Sequence, residues 1–287
     1  MQTLNQYLLD KIVQIAQQAG NHLKDFYAKS VEVHIKSDKT PVTEADLFLS
    51  QFITEQLKQL TPDVPVLSEE NCDIAFEERQ KWDEYWIIDP LDGTQQFINR
   101  TDQFAVIIAL VQKQEGKNRP VLGVIHAPII EKTYFAMQHH GCFVQKEGEI
   151  QPLHTIKQAD HSEHNLHIAI GFVHPDHIED NLIPPYQATF MEYGSSSLKS
   201  GLVAENITDC YIRFGDTGEW DTAASEILLS ELGGEIFDLH FNPLSYNERE
   251  TLINPYFIMV RDKTRDWQTI FPVSYTHLRA HETGAYL

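Results

Sequence analysis

Between Trp86 and Thr94 the chain reads Trp-Ile-Ile-Asp-Pro-Leu-Asp-Gly-Thr, an apolar run ending in two carboxylates three residues apart. Asp89-Pro90 and Asp92-Gly93 are turn-forming pairs, so the backbone is expected to bend where the acids appear. Two carboxylates held that close repel each other unless a positive charge sits between them. A hard divalent cation such as Mg²⁺, which takes oxygen ligands, meets that need. An Asp-rich turn capping the following helix is the competing account.

Other acids and hydroxyls pose the same choice. Glu69-Glu70 follow a short apolar run, Asp221 stands in Gly218-Glu219-Trp220-Asp221-Thr222, and Thr43 precedes Asp46 by three residues. Each has an ordinary local account: a solvated loop pair, an acid favoured by a helix dipole, and a capping box. Residue physics alone leaves each open between that role and a place in a site. Ser195-Ser196-Ser197 lacks the G-x-S-x-G elbow of a serine nucleophile and reads as a helix cap or a polar substrate contact. His161, His164 and His167 recur every three residues, but no cysteine or carboxylate pattern accompanies them and no zinc site is expected.

Helices and strands must bring these residues together. Leu4, Leu8, Ile12, Ile15, Ala19, Leu23 and Phe26 recur at helical spacing, predicting an amphipathic helix over 3–27. Val31, Val33 and Ile35 alternate as in a strand, and 36–41 reads as a polar loop. A second helix is expected over 42–60, with Ala45, Leu49, Phe52, Ile53 and Leu57 facing inward. Short strands are expected at 65–68 and 85–88, then at 104–111, 121–126, 132–137 and 141–144, as an antiparallel meander. The polar stretch 149–164 marks a boundary. Beyond it, strands at 167–172, 188–191, 210–214, 235–238 and 256–260 alternate with helices at 196–204 and 220–232, in an α/β manner. Gly233-Gly234 supplies a helix stop.

The chain's 287 residues suffice for one large domain or two smaller ones, and 42% hydrophobic content is that of a globular protein. With 42 acidic against 22 basic residues the formal charge is −20, which argues against nucleic-acid binding. A small phosphorylated substrate is still allowed, provided a metal reverses the local field. No apolar run approaches the roughly 20 residues of a membrane span. No signal peptide is expected from Met1-Gln2-Thr3-Leu4-Asn5, and the three cysteines show no paired spacing, so a cytoplasmic home is expected. Residues 274–287 follow the expected last strand without an apolar period and read as a non-native tail.

Together, Glu69-Glu70 after a strand, Asp89-Pro90-Leu91-Asp92-Gly93-Thr94 and Trp220-Asp221-Thr222-Ala223-Ala224 resemble the three signatures of the lithium-sensitive, Mg²⁺-dependent phosphatases of the inositol monophosphatase superfamily. The resemblance runs in order from about residue 4 to residue 260. Within the superfamily the chain is most similar to 3′(2′),5′-bisphosphate nucleotidases of the CysQ type. That likeness rests on Val66-Leu67-Ser68-Glu69-Glu70, Leu91, Gly194-Ser195-Ser196-Ser197-Leu198-Lys199, Leu202-Val203-Ala204-Glu205 and Arg213-Phe214-Gly215-Asp216-Thr217.

The resemblance implies an α+β fold, layered α/β/α/β/α. Residues 1–155 would form an antiparallel-sheet half carrying most metal ligands. Residues 156–273 would form an α/β half carrying the substrate-binding residues and Asp221. It implies two or three Mg²⁺ ions held by Glu69, Asp89, Asp92, Asp221 and the carbonyl of Leu91. Glu69, Thr94 and Asp46 would then orient or deprotonate the attacking water. The implied substrate contacts are Gly93, Thr94, Ser196, Lys199, Arg213 and Asp221. The implied reaction releases the 3′-phosphate of adenosine 3′,5′-bisphosphate, giving AMP and phosphate. A monomer or homodimer, with or without peripheral association at the cytoplasmic face of the inner membrane, accords with the resemblance. Two departures stand out: Gln95-Gln96 where the nucleotidases carry Lys-Glu, and Ile170-Gly171-Phe172-Val173-His174 where they carry Ser-Arg-Ser-His. They keep open a monophosphatase of inositol or another sugar, and a non-catalytic metal- or phosphate-binding regulator.

Overall fold

The computed structural model describes residues 1–29, 33–35, 41–155, 164–171, 176–179 and 182–271. The helices are α1 (Gln6–Tyr27), α2 (Glu44–Leu60), α3 (Phe76–Arg79), α4 (Thr94–Ile98), α5 (Asp176–Glu179), α6 (Ser196–Ala204), α7 (Ala223–Ser230) and α8 (Trp267–Ile270). The strands of the first half are β1 (Val33–Ile35), β2 (Pro41–Thr43), β3 (Val66–Ser68), β4 (Glu84–Asp92), β5 (Ala105–Gln114), β6 (Lys117–Ala127), β7 (Lys132–Met137), β8 (Gly141–Lys146) and β9 (Glu149–Leu153). Those of the second are β10 (Asn165–Ile170), β11 (Gln187–Glu192), β12 (Cys210–Arg213), β13 (Glu235–Asp238) and β14 (Phe257–Val260).

Seven strands, in order β3 to β9, form the first sheet; β3 runs parallel to β4 and the remainder form the expected antiparallel meander. The second sheet has the order β11-β10-β12-β14-β13, with β10 parallel to both its neighbours. Both sheets are buried on two faces, which explains why their central strands read as continuous apolar runs rather than alternations. On β4, Trp86 and Ile88 pack beneath α1 and α2 with Ile12, Leu49 and Ile53. Tyr85 and Ile87 point the other way, into a core shared with Leu198 of α6, Leu228 of α7 and Tyr211 and Met259 of the second sheet. The outer face of that sheet, including Ile168, Ile212 and Ile258, is covered by Ile178 of α5 and by Trp267 and Ile270 of α8. The order is therefore helices, sheet, helices, sheet, helices. Each fully buried Ile or Leu in these layers contributes about 1.5–3 kcal/mol by leaving water. Close packing of the middle layer depends on Gly123 of β6. A Cβ there would stand 2.6 Å from Ile227 Cγ2 and 2.8 Å from Ala224 Cα on α7.

Several boundaries differ from the expected ones for identifiable reasons. Helix α1 starts at Gln6 because the Asn5 side chain accepts the Leu8 N–H at 2.9 Å. Residues 41–43 are a strand paired with β1 rather than a loop and first helical turn, and Thr43 caps α2. Inner-face Phe52 is only half-buried, in an aromatic cluster with His22 and Phe48. Strand β9 lies where a polar boundary was expected. It is an edge strand with four exposed residues, so no face of it needs apolar side chains. Trp220 and Asp221 lie in a 3₁₀ turn, Glu219–Asp221, ahead of α7 rather than within the helix. The expected loop at 36–40, His161, the chain after Gly171 in the departing segment, and the tail at 274–287 lie outside the described residues.

Candidate active site

Of the two expected turn pairs, Asp89-Pro90 lies in a bulge within a strand and Asp92-Gly93 makes the turn. Strand β4 continues to Asp92, and a bulge lets the three steps from Asp89 to Asp92 oppose the two from Ile107 to Ala105 on β5. The turn comes one residue later, at Gly93, whose φ of 93° suits glycine and starts α4. The bulge places both aspartates, buried, at the end of the sheet. Asp89 Oδ1 accepts the Leu91 N–H at 2.9 Å, which shapes the bulge itself.

Asp221 reaches the same point from the second half. Its Oδ2 accepts the Gly218 N–H at 2.6 Å, so it also caps its own turn. The turn is held from behind. Asn247 N–H donates to Glu219 Oε2 at 2.7 Å, and Asn254 Nδ2 donates to the Gly218 carbonyl at 2.7 Å. Glu219 is wholly buried, and burial pushes its carboxyl up to about 7 despite the opposing Asn247 N–H and Arg249 charge.

One oxygen from each of Asp89, Asp92 and Asp221 lies within 4.8 Å of the others. Burial, then the charges of Glu69, Asp92 and Asp221, raise the Asp89 carboxyl well above its ordinary range. Asp221 is raised likewise by burial, Asp92 and Glu69, with the Gly218 N–H and Arg213 opposing. Such a group is costly to ionise without a cation and favourable with one. An all-oxygen donor set built from carboxylates suits Mg²⁺ rather than a softer metal. The residues present therefore fit the expected ion. Glu69, half-buried at the end of β3, stands at the edge of the cluster, where its charge acts on both Asp89 and Asp221.

Beside the cluster, Asp46 and Thr94 meet although 48 residues separate them. Asp46 Oδ2 accepts the Thr43 N–H at 2.7 Å and hydroxyl at 2.6 Å, completing the expected capping box. Its Oδ1 remains to accept the Thr94 hydroxyl at 3.2 Å. That hydroxyl also stands 3.2 Å from the Leu91 carbonyl, so its single proton is shared between two acceptors.

Asp92 and Asp221 open onto a cavity of about 240 Å³ whose far wall comes from the second half. Gly93, Ser196, Lys199 and Arg213 line it, and so do Gln96, one of the two glutamines that depart from the nucleotidase pattern, and Tyr211, which carried no site signal in the sequence. Arg213 is half-buried, its Nη2 3.4 Å from the Asp216 carbonyl. Lys199 is almost wholly buried, and its Nζ donates to the carbonyls of Tyr193, Gly194 and Ser195 at 3.1, 2.8 and 2.8 Å. Burial lowers its ammonium to about 7; the Asp92 charge opposes this, and Arg213 reinforces it. Ser195 caps α6, accepting the Leu198 N–H at 3.2 Å, in line with the cap reading. Tyr211 read as an apolar strand residue, yet its ring lies under Lys199 Nζ at 4.8 Å and its hydroxyl faces Ser196 Oγ at 3.4 Å. Gln103, also unforeseen, accepts the Gly194 N–H at 2.6 Å. No helix among the described residues is long and apolar enough to cross a membrane.

Known proteins place these features in context. The family model described as "Inositol monophosphatase family" matches residues 4–268. A 3′(2′),5′-bisphosphate nucleotidase CysQ of Haemophilus influenzae is 56% identical over 272 residues, covering 94% of this chain and 99% of that protein. The protein of the same name from Aggregatibacter actinomycetemcomitans is 53% identical, covering 94% and 99%. Among solved structures, CysQ from Bacteroides thetaiotaomicron, described as a bacterial member of the inositol monophosphatase family, superposes with a TM-score of 0.73. It is 31% identical, with 90% of this chain and 98% of that one covered.

Proposed function

The chain belongs to the inositol monophosphatase family, and on that footing we propose that it is a Mg²⁺-dependent 3′(2′),5′-bisphosphate nucleotidase that converts adenosine 3′,5′-bisphosphate to AMP and phosphate. The observation that carries this reading is the meeting of Asp89, Asp92 and Asp221 beside a cavity whose opposite wall holds Arg213 and Lys199. A cation-dependent acidic corner facing a cationic wall suits a substrate with two phosphates, one at each end.

Asp89, Asp92, Asp221, Glu69 and the Leu91 carbonyl hold the metal, as two or three ions. Bound there, Mg²⁺ offsets the carboxylate repulsion, lowers the pKa of water and polarises the phosphoryl group. The chain's own residues do the rest. Asp46 keeps the Thr94 hydroxyl as a donor toward itself, which leaves a lone pair of Thr94 Oγ1 facing outward. A water placed against that lone pair gives a proton to Thr94 Oγ1 while Thr94 passes its own to Asp46 Oδ1, and the water oxygen attacks phosphorus. Glu69 orients the same water. The bond formed joins water oxygen to phosphorus; the bond broken joins phosphorus to the ribose 3′ oxygen, which takes up a proton. Gly93, Thr94 and Ser196 line the transferred phosphate, and Arg213 binds the phosphate left on the nucleotide by charge-assisted hydrogen bonds. Lys199 adds positive charge to that wall. The thiol state of Cys142 and Cys210 suits a cytoplasmic enzyme.

Phosphate release by purified protein with Mg²⁺ tests the assignment, comparing adenosine 3′,5′-bisphosphate, its 5′-sulfated form and inositol 1-phosphate. Rapid Mg²⁺-dependent release from the bisphosphate is expected. Turnover of inositol 1-phosphate alone would overturn it in favour of a sugar monophosphatase.

A further inference from the structure

Asp92 receives more hydrogen bonds than a cation ligand needs, and all of them come from one turn. Its Oδ2 accepts the Ser195 hydroxyl at 2.5 Å, the Ser197 N–H at 2.8 Å and the Ser197 hydroxyl. Its Oδ1 accepts only the longer Ser196 N–H, at 3.2 Å. A carboxylate oxygen with three donors has no lone pair left for a metal, so the carboxylate has one occupied side and one available side.

The turn that does this sits in an unfavourable conformation. Ser195 has φ 37°, in a region that residues with a side chain seldom adopt and that persists only when the surroundings enforce it. Those surroundings are visible. Lys199 Nζ holds the carbonyls of Tyr193, Gly194 and Ser195 from one side, and Gln103 holds the Gly194 N–H. Asp92 holds the Ser195 hydroxyl, the Ser196 N–H and both the N–H and hydroxyl of Ser197 from the other side. A buried cation and a buried anion thus grip opposite ends of the Ser195–Ser196 peptide group and hold the rest of the turn between them.

We infer that Ser195 and Ser197 are positioning residues that fix Asp92 as a one-oxygen cation ligand through Oδ1, and that Lys199 acts on the metal by keeping their turn in place. The inference rests on the metal-dependent reading above. It also gives Lys199 a task different from that of Arg213, although both line the same cavity. Arg213 has no part in the turn, and its positive charge acts on Asp221, so its loss should not weaken cation binding. Loss of Lys199 should not.

Mn²⁺ titration followed by electron paramagnetic resonance, without substrate, tests this on the full chain. Ser195→Gly is the informative variant, because glycine accepts the positive φ and only the hydroxyl is lost. Ser197→Ala removes the second hydroxyl. Each is expected to weaken Mn²⁺ binding roughly 10- to 100-fold, as loss of a group that orients a metal ligand does. Lys199→Met should do the same, and Arg213→Ala should not. Ser200→Ala is the structural control. Ser200 is buried on the same helix, bonded to the Ser197 carbonyl and to Ser225, away from Asp92. It should lower the melting temperature in EDTA without moving Mn²⁺ affinity. Should Asp92→Asn lose a Mn²⁺ site while Ser195→Gly and Ser197→Ala bind within two-fold of wild type, the inference is overturned and the metal assignment stands. Wild-type Mn²⁺ binding by Asp92→Asn would overturn both.

Discussion

The two walls of the cavity solve opposite problems with opposite materials. The acidic corner uses short side chains on rigid backbone: Asp89 and Asp92 on a bulge, Asp221 on a 3₁₀ turn. Its groups repel one another, and burial raises Asp89 and Asp221 further. The basic wall uses long side chains, the buried Lys199 and the half-buried Arg213, whose charges face the cavity. The corner needs something from outside the chain to be stable when ionised. The wall supplies its own compensation, since Lys199 already has three carbonyl partners. The corner therefore determines the chemistry, and the wall determines which phosphate compound is presented to it.

Asp89→Asn is the largest available break in that contrast. Metal-assisted stabilisation is worth several kcal/mol, so kcat/KM for adenosine 3′,5′-bisphosphate should fall by roughly a thousandfold or more. Because the substitution removes a buried, repelled acid, the variant should melt no lower than wild type in EDTA, by calorimetry. A loss of activity matched by a large loss of thermal stability would show that Asp89 serves the fold rather than the ion.

This contrast also explains what could be read in the sequence. The corner was legible because its chemistry is local: two acids, a proline, a glycine and a hydroxyl occur within six residues. Even so, only the second of the two expected turn pairs, Asp92-Gly93, turns the chain; Asp89-Pro90 lies in a bulge, because the pairing that carries β4 on to Asp92 comes from β5 and leaves no mark on residues 89–92. The capping box at Thr43 was legible as structure; its second use, holding Thr94 through the other oxygen of Asp46, was implied only by the family resemblance, because that partner is 48 residues away. On the wall, Arg213 and Lys199 were visible as charges. The cage around Lys199 was not, since it depends on the chain folding back at Gly194 and on Gln103 from the first half. Tyr211 carries a type that cores use everywhere, whereas Gln96 stood out as a departure from the nucleotidase pattern. Strand β9 escaped notice because an edge strand with both faces wet has no hydrophobic period to detect.

Arg213→Ala sharpens the contrast from the other side. A charge-assisted contact is worth about 1.5–3 kcal/mol, so KM for the bisphosphate should rise roughly 10- to 100-fold. Little change is expected in kcat, or in kcat/KM for 3′-AMP, which lacks the second phosphate. Steady-state kinetics on the two substrates makes the comparison directly. An equal loss on both would mean that Arg213 assists the transferred phosphate, and the division between corner and wall would fail.

The smallest effect concerns a buried titratable group belonging to neither wall. His126 on β6 accepts or donates through Nδ1 at 2.9 Å from Thr133 Oγ1, and its ring lies so close to α1 that a Cβ on Gly20 would be 2.4 Å from it. Burial, and secondarily the Lys24 charge, lower its pKa from 6.5 to about 4. Between those values the unfolded chain binds a proton that the folded chain refuses, so stability is complete above 6.5 and is lost as pH falls toward 4. By pH 5 the loss from this group alone is about 1–2 kcal/mol. Urea unfolding in saturating Mg²⁺ isolates it, because the ions then hold the aspartates ionised across the same range. His126→Gln, which keeps a hydrogen-bonding group near Thr133, should flatten the acid limb even if it lowers stability at pH 7. Parallel wild-type and variant curves would place the acid sensitivity elsewhere, with the carboxylates of the corner as the first suspects.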